Sequence, residues 1–331
     1  MSKITVNDIR PVSEINYNRE VLYPEDLKEF HKRFNSQFID VDCVACSSDR
    51  HFFITEKDGF KYRKCEKCGT AFISPRPAVE MLSWWYCNAK KQKHAAGILK
   101  KTAAKRVEIY KKRCDNMVSR VDADFNSVLE LGASIGTFLQ LLAERKPEAR
   151  IKGIDFNDSS IEEAQKRGVE VENISIEEYA GKKSEKFDLI LAFEVVEHIY
   201  EPEITVNAVY NLLEDDGCFY FTLPNFHGYD FLEIGDVYRN FAGPGHLNYF
   251  NPDSIKVFMK KVGFKSVEVY CDGVLDTNLV QKYQKEKKKI QTGFWKFIYD
   301  NSEKYSDFID DFQSLLQKHK LSGNMTVVAK K

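Results

Sequence analysis

The sequence predicts an α/β fold built on a parallel sheet, with a small cysteine-containing module in front of it. Beyond Asp124, short apolar runs alternate with helical segments at the spacing of right-handed strand–helix–strand crossovers. These runs are SVLELG, IKGID, KFDLILAF and CFYFTLP. The stretch before them holds two C-x2-C pairs among short β-prone runs and ends at the prolines of Pro75-Arg76-Pro77, which break a helix. We therefore expect a helical extension (1–40), a cysteine module (41–75), a helical linker or cap (76–122) and the α/β domain (123–331).

The charge balance and the length of the apolar runs limit the classes of partner. The 331 residues carry 49 Lys and Arg against 50 Asp and Glu, for a formal net charge of -1. A protein that neutralises many phosphates usually has a clear basic excess, so this balance disfavours nucleic acid and favours a small-molecule partner. The opening MSKITVNDIR is too polar for a secretory signal, and no run approaches the roughly 18 apolar residues of a membrane span. We therefore expect a cytoplasmic protein without membrane segments.

Four of the eight cysteines form two closely spaced pairs, Cys43-x2-Cys46 and Cys65-x2-Cys68. Residues 47–64 separate the pairs, a spacing typical of four-cysteine zinc sites. Four thiolates complete a tetrahedral shell and leave no open position for water, so the expected zinc is structural. The other cysteines share no spacing rule, and we expect them to pack as small apolar side chains.

A strand, a glycine-containing turn and a helix follow one another between Val128 and the residues after Gly136. Glycine lets the backbone approach a ligand closely, and the start of a helix offers free N–H donors. Nineteen positions after Gly136, a second strand ends in Asp155, where a carboxylate can accept hydrogen bonds from two ribose hydroxyl groups. The sequence therefore predicts a cofactor site at this edge of the sheet.

Two interpretations of this loop fit poorly. The dinucleotide fingerprint G-x-G-x-x-G fails because Ser134 and Thr137 stand where it needs glycine, which disfavours a nicotinamide enzyme. The stretch from Gly132 to Gly136 also satisfies G-x-S-x-G, the nucleophile elbow of α/β-hydrolases. That elbow normally follows several strands, whereas this turn follows the first, and no HGG run precedes it. An α/β-hydrolase is therefore a remote alternative.

The loop resembles motif I of the class I S-adenosylmethionine methyltransferases, E/D-x-G-x-G-x-G, with Glu130, Gly132 and Gly136 in register and Ser134 at the middle glycine. Further stretches resemble the family's second, fourth, fifth, sixth and seventh strands: GIDFNDSSIEEA, KFDLILAFEVVEHI, CFYFTLPN, FKSVEVYC and MTVVAKK. The resemblance implies a Rossmann-like seven-stranded methyltransferase sheet with a terminal antiparallel hairpin. Residues 279–320 would then be a helical insertion between the last two strands.

The same resemblance implies S-adenosylmethionine as the cofactor, with Asp155 as the acid that binds its ribose. Glu194 would lie in the turn after the fourth strand, close to the cofactor. The residues that the resemblance places at the cofactor are Glu130, Gly132, Ala133, Ser134, Gly136, Asp155, Phe156, Ser175, Phe193 and Glu194.

A cysteine ribbon followed by Pro-Arg-Pro and an aromatic helix, PRPAVEMLSWWY, is similar to the layout of many bacterial sugar and other small-molecule methyltransferases. In that layout the ribbon and the helix cover the mouth of the active site. It implies a nucleotide-linked or glycan-biosynthetic sugar as the acceptor. Trp84, Trp85 and Tyr86 then either contact the acceptor or bury the ribbon against the main domain.

Two histidines are candidates for the base that removes a proton from an acceptor hydroxyl, because histidine titrates near neutral pH. His198 follows the fourth strand, and His246 lies in a Gly-Pro-Gly loop after the fifth, at the carboxyl edge where α/β sheets bind ligands. We expect His246 to be the base and His198 to be the alternative, although either could instead hold its loop in place. Asn225 and Tyr249 are lesser candidates for binding the acceptor.

Two other functions stay open at this point. In an RNA methyltransferase, the ribbon and the basic run KYQKEKKK would hold nucleic acid, but the fourth strand ends in AFEVVEH rather than the N/D-P-P-Y/F of enzymes that methylate base amines. In a non-catalytic zinc scaffold the cofactor loop would have decayed. The intact Glu130, Gly132, Gly136 and Asp155 argue against that scaffold.

Overall fold

A computed structural model of the chain describes residues 11–34, 38–121, 124–287 and 293–331. The helical extension begins with α1 (Val12–Tyr17), a π-helical turn (Asn18–Leu22) and α2 (Tyr23–Arg33). The cysteine module contributes strands β1 (Phe38–Ile39), β2 (His51–Lys57), β3 (Phe60–Cys65), β4 (Ala71–Ile73) and β5 (Arg76–Pro77). Two cap helices follow, α3 (Val79–Asn88) and α4 (Lys90–Val121). Residues 1–10 and 35–37 of the expected extension lie outside the described residues.

The remaining elements alternate as the apolar runs predict. The strands are β6 (Ser127–Leu131), β7 (Arg150–Asp155), β8 (Glu170–Asn173), β9 (Phe187–Phe193), β10 (Leu213–Pro224), β11 (Asn248–Tyr249), β12 (Ser266–Tyr270) and β13 (Asn324–Lys330). The helices are α5 (Thr137–Arg145), α6 (Asp158–Lys166), α7 (Ile176–Lys182), α8 (Pro202–Leu212), α9 (Tyr229–Ile234), α10 (Pro252–Val262), α11 (Asp276–Lys287), α12 (Phe294–Asp300) and α13 (Ser306–Lys318).

Seven strands form the main sheet in the order β12-β13-β10-β9-β6-β7-β8. The pairs of β6 with β7 and β9, of β7 with β8, and of β9 with β10 are parallel. Strand β13 runs antiparallel to both β10 and β12, which closes the sheet with the expected hairpin. The central strand β9 is almost entirely apolar because helices cover both faces of a parallel sheet. The predicted fold class is confirmed.

Helix α4 covers one face of this sheet rather than acting as a simple linker. Its Cys114 and Met117 are fully buried and pack in one cluster with Val128 and Leu189 of the sheet. The rest of this 32-residue helix is rich in lysine and arginine. Across the described part of the chain, no helix is both long and apolar enough to cross a membrane.

The cysteine module forms a second sheet of four strands, in the order β11-β4-β3-β2. Strand β11 comes from far along the chain: Asn248 pairs with Phe72 and Tyr249 with Ala71, antiparallel. The backbone N–H of Ile73 also donates to the Leu247 carbonyl at 3.0 Å. The module is therefore bonded directly to the loop that carries His246.

Helices α11 to α13 lie between β12 and β13, and they begin at Asp276, three residues before the stretch expected as an insertion (279–320). Residues 288–292 are outside the described residues. The buried Asp276 ties them to the sheet. Its carboxylate accepts hydrogen bonds from the Gly323 N–H at 3.0 Å and from the Gln313 amide at 2.6 Å. Lys288 and Lys289 of the basic run lie outside the described residues.

Candidate active site

The turn after β6 has the backbone shape that its glycines predict. Gly132, Ser134 and Gly136 have φ of 70°, 51° and 71°, a region that side chains with a Cβ rarely adopt. A Cβ at Gly132 would lie 2.8 Å from Cγ2 of Val195, and one at Gly136 would lie 2.9 Å from Cβ of Ala164. The turn therefore packs closely against Val195, which lies just after the end of β9.

Asp155 ties this turn to the end of β7. Its two carboxylate oxygens accept from the N–H groups of Ser134 and Asn157, each at 2.8 Å. Glu130 lies beneath the turn, is 4% exposed, and its Oε2 has no partner among the described residues. Burial raises the pKa of Glu130 to about 8, the nearby Asp155 adds to this rise, and Arg113 opposes it. Two acidic side chains, Glu130 and Asp155, therefore lie at the carboxyl ends of β6 and β7.

The side chains of three other residues expected at the cofactor differ in their contacts and exposure. Glu194 has a φ of 57° and accepts from the Thr222 hydroxyl at 2.9 Å and the Asn324 amide at 2.8 Å. Phe156 is 67% exposed beside Asp155, where a flat ligand could cover it. Phe193 packs on Phe138 with ring centroids 4.7 Å apart.

Ala133 and Ser175 form hydrogen bonds within the chain. The N–H of Ala133 donates to the Ile154 carbonyl at 3.1 Å. The Ser175 hydroxyl caps helix α7 by accepting from the Glu178 N–H at 3.1 Å. The carbonyl oxygens of both residues also accept hydrogen bonds within the chain, from the N–H groups of Gly136 at 3.0 Å and Tyr179 at 2.9 Å.

His198 and His246 lie side by side at the same edge, with ring centroids 4.7 Å apart. His198 Nδ1 is 2.8 Å from the Gly245 carbonyl oxygen, which can only accept, so this nitrogen carries the proton and Nε2 has the lone pair. The Tyr86 hydroxyl donates to the same carbonyl at 3.0 Å and lies 3.1 Å from Nδ1. Tyr86 and Gly245 therefore fix the orientation and the tautomer of His198.

Both imidazoles are held in their neutral forms. Burial lowers the pKa of His246 well below its usual value, and His198 and Lys91 add to this effect, while the Asn240 carbonyl opposes it. Burial also lowers the pKa of His198. His246 Nδ1 is buried and has no hydrogen-bond partner among the described residues. A neutral imidazole with a free nitrogen can take a proton.

Glu197 lies below the two histidines and is 1% exposed. Neither of its carboxyl oxygens has a hydrogen-bond partner in the described part of the chain, and burial raises its pKa well above the usual value, with Glu194 adding to the rise. Ligand atoms of Glu197, His198 and His246 lie within 4.8 Å of one another. These donor types could hold a divalent cation, or they could meet the polar groups of an acceptor.

Asn225 and Tyr249 use their polar atoms inside the chain. The Asn225 amide donates to the carbonyl oxygens of Lys320 and Ser322 at 3.1 and 2.9 Å. The Tyr249 hydroxyl lies 3.0 and 3.1 Å from the carbonyl oxygens of Asn240 and His246. Both side chains are buried, so the structure gives them the role of holding loops and not an open contact surface.

The cysteine cluster has the geometry of a metal site. Cys43 Sγ lies 3.5 Å from Cys68 Sγ, Cys46 Sγ lies 3.6 Å from Cys65 Sγ, and all four sulfur atoms are within 4.8 Å of one another. Tetrahedral zinc with Zn–S bonds of about 2.3 Å requires sulfur atoms about 3.8 Å apart. The four side chains therefore fit a structural zinc ion.

The sequence did not indicate a role for two residues near the histidine pair, Lys91 and Gly245. Lys91 is the second residue of α4, next to the similar Lys90, and only the packing shows that its ammonium lies over the rings of Tyr23 and Trp85. The Gly245 carbonyl carries no side-chain signal. Tyr86 had a weaker signal, because it belongs to the aromatic run that follows Pro-Arg-Pro.

Comparison with known proteins gives a consistent family. A profile described as a methyltransferase domain matches residues 99–269. The ubiquinone biosynthesis O-methyltransferase of Neisseria meningitidis serogroup C is 29% identical over 129 residues, which cover 37% of this chain and 54% of that protein. The protein of the same name from Saccharophagus degradans is 24% identical over 194 residues, covering 55% and 80%. The chain thus spans about half the length of the first of these relatives.

Among solved structures, a SAM-dependent methyltransferase from Archaeoglobus fulgidus is similar with a TM-score of 0.47 and 18% identity. The match covers 68% of this chain and 94% of that protein.

Proposed function

The chain belongs to the family of proteins with this methyltransferase domain, and from that premise we propose that it transfers a methyl group from S-adenosylmethionine to a hydroxyl group of a small molecule. The name of the curated relatives, O-methyltransferase, supports oxygen as the acceptor atom. The net charge of -1 supports a small molecule over a nucleic acid. The similarity of the ribbon layout to that of sugar methyltransferases supports a nucleotide-linked or glycan-biosynthetic sugar.

One observation carries the proposal: the cofactor turn and the histidine pair lie at the same edge of one sheet. Val195 packs against the turn at Gly132, and it lies three positions before His198. When bound, S-adenosylmethionine supplies an electrophilic methyl group on a sulfonium. Asp155 would accept hydrogen bonds from the ribose hydroxyls of that cofactor, and Glu130 and Glu194 would lie near the cofactor.

We propose His246 as the general base. Its Nδ1 has no partner among the described residues, and its lowered pKa keeps the imidazole neutral at pH 7, so it can take the proton of the acceptor hydroxyl as the new bond forms. His198, fixed by Tyr86 and Gly245, would position the acceptor beside His246. A divalent cation held by Glu197 and the two histidines would be a different way to activate the same hydroxyl.

The zinc ribbon would then have a structural part in the site. Zinc at Cys43, Cys46, Cys65 and Cys68 would stiffen the module whose strand β4 pairs with β11. Because β11 directly follows His246 and Leu247, an ordered ribbon would keep the histidine loop in place. The Tyr249 hydroxyl, 3.1 Å from the His246 carbonyl oxygen, would support the same loop.

The experiment is a turnover assay on purified protein with S-adenosylmethionine and two acceptor classes, nucleotide-linked sugars and hydroxylated aromatic compounds. The second class is included because the relatives are named for ubiquinone biosynthesis. S-adenosylhomocysteine formation with a sugar is the expected result, measured with and without Mg²⁺. Turnover only with aromatic hydroxyls would overturn the sugar assignment, and failure to bind S-adenosylmethionine would overturn methyl transfer itself.

A further inference from the structure

We propose that Lys91 and the indole N–H of Trp85 form a subsite for an anionic oxygen group, a phosphate or a carboxylate, on the acceptor. This inference rests on the proposed function, because it deepens the description of the same acceptor site. It assigns a specificity role to two residues outside the histidine pair.

The Lys91 ammonium group is surrounded by aromatic rings and lacks an anionic partner. Its Nζ lies 4.6 Å from the centre of the Tyr23 ring and 5.4 Å from that of Trp85. Among the described residues, no ion pair or hydrogen bond to this ammonium is found. The side chain is only partly exposed, and burial lowers the pKa of Lys91 to about 8. Aromatic faces orient an ammonium group, but they leave its N–H donors without oxygen acceptors.

Asp26, the acid whose charge most favours the Lys91 ammonium form, already accepts two hydrogen bonds from the backbone. Asp26 accepts from the backbone N–H groups of Lys90 and Lys91 at 3.0 and 2.8 Å, and so caps the start of α4. Its charge stabilises the ammonium at a distance but does not pair with it. Lys90, by contrast, points to solvent and pairs with Glu25 at 2.8 Å. The two adjacent lysines therefore have opposite roles, and only Lys91 has a free charge.

A second unmet donor lies beside the first. Trp85 is 0% exposed, and its indole N–H has no hydrogen-bond partner among the described residues. A buried N–H without an acceptor is destabilising, so such groups normally bond to a ligand or an ordered water. A Cβ at Gly245 would lie 3.7 Å from this nitrogen, which places the donor against the loop that carries His246.

The two donors are connected with the loop that carries the proposed base. The charge of Lys91 contributes to lowering the pKa of both His198 and His246. Tyr23, whose ring covers Lys91, donates through its hydroxyl to the Gly243 carbonyl at 2.7 Å. An ammonium and an indole N–H at one end of an acceptor, with a neutral imidazole near its hydroxyl, would select a molecule that carries both an anion and a hydroxyl.

The test is calorimetric titration of the full-length protein, saturated with S-adenosylhomocysteine, using uridine diphosphate and glucuronate as probes and glucose as the uncharged control. Wild-type protein should bind at least one anion, with uridine diphosphate identifying phosphate and glucuronate identifying carboxylate. Lys91→Met should weaken that binding about tenfold or more, because a charge-assisted hydrogen bond is lost. Trp85→Phe keeps the ring and removes the N–H, and it should weaken binding about threefold to tenfold.

Lys90→Met is the matched control and should bind the anion as wild type does. Thermal unfolding identifies variants that have lost the fold, and Lys91→Arg, which keeps the charge, should restore most of the affinity. Equal anion affinity in Lys91→Met and wild type, or no saturable anion binding to wild type, would overturn the subsite. Because cofactor binding is measured first, loss of S-adenosylmethionine binding would count against the proposed function and not against this subsite alone.

Discussion

Asn248 and Phe72 are antiparallel neighbours in one sheet, although 175 residues lie between them in the sequence. This pairing joins the cysteine module to the segment that directly follows His246. The Asn251 amide adds to the junction by donating to the Cys68 carbonyl at 3.2 Å. A metal ion in the module would therefore act on the acceptor side of the site, not on the cofactor side.

The first prediction concerns that junction. Cys65→Ser should release zinc and loosen both β4 and β11, because metal binding is coupled to the folding of small ribbons. Hydrogen exchange should rise at residues 60–73 and 242–249, and turnover should fall roughly tenfold to a hundredfold because the base is misplaced. S-adenosylmethionine affinity should change only a few-fold.

The control for this variant is Cys87→Ser, since Cys87 is exposed and outside the cluster. It should keep its zinc, its exchange pattern and its turnover. Protein purified without chelator that contains no zinc would contradict the metal assignment. Unchanged exchange at 242–249 in Cys65→Ser would contradict the coupling.

The fold and the cysteine cluster could be predicted because their signals are local. Apolar runs such as that of β9 identify buried strands, and two C-x2-C pairs identify a metal site by spacing alone. The pairing of β11 could not be predicted, since a two-residue strand has no periodicity and its partner is remote in sequence. Contacts of this kind are set by tertiary packing.

The partners of the polar side chains near the site could not be predicted from the sequence either. Sequence order placed Asn225 after the fifth strand, at the correct edge, but it could not show that the amide is bonded to the Lys320 and Ser322 carbonyls. Lys90 and Lys91 are identical in type and adjacent, yet Lys90 pairs with Glu25 at the surface and Lys91 lies over the Trp85 ring. The sequence therefore could not show in which direction each lysine side chain points at the start of α4.

The second prediction concerns the cofactor. Asp155→Ala should weaken S-adenosylmethionine binding about tenfold or more, because each charge-assisted hydrogen bond to the ribose is worth roughly 1.5–3 kcal/mol. Calorimetry at pH 7.5 gives the affinity directly. Asp115→Ala is a suitable control because Asp115 is a surface residue paired with Arg145 at 2.6 Å. Binding of NADH in place of S-adenosylmethionine by the wild-type protein would refute the cofactor assignment.

The third prediction concerns the base. His246→Ala should lower kcat about a hundredfold or more, because a general base typically contributes 10²–10⁴ in rate. Its S-adenosylmethionine affinity should remain within a few-fold of wild type. His198→Ala should lower turnover and also disturb cofactor binding, because His198 lies only three positions from Val195, which contacts the cofactor turn. If both variants keep near wild-type turnover, the acceptor needs no histidine base.

Tyr86 provides a test of positioning that is separate from that of the base. Tyr86→Phe removes the hydroxyl that lies 3.1 Å from His198 Nδ1 and donates to the Gly245 carbonyl, while it keeps the ring. We expect kcat to fall roughly threefold to tenfold with little change in S-adenosylmethionine affinity, since one hydrogen bond orients the pair. A purely structural role would instead lower the thermal unfolding temperature and leave kcat of the folded fraction unchanged.

The last prediction is the pH dependence of anion binding at Lys91. Only the ammonium form attracts an anion, and burial lowers the pKa of Lys91 to about 8 from its usual 10.5. Affinity for uridine diphosphate should therefore be constant below about pH 7.5 and fall as pH rises through 8 to 9.5. The diphosphate is fully ionised over this range, because phosphate groups lose their last proton near pH 6. The charged and titratable groups that face Lys91 are Asp26, Asp58, Arg19, His198 and His246.

The lowered pKa values leave both histidines neutral above pH 7, so their charge does not change over this range. Lysine is then the group that titrates. Lys91→Arg carries a guanidinium, which holds its proton to a higher pH than an ammonium group does, so its affinity for the diphosphate should stay flat up to pH 9.5. If the Arg variant loses affinity with pH as the wild type does, the titrating group is not Lys91 and the subsite is misassigned.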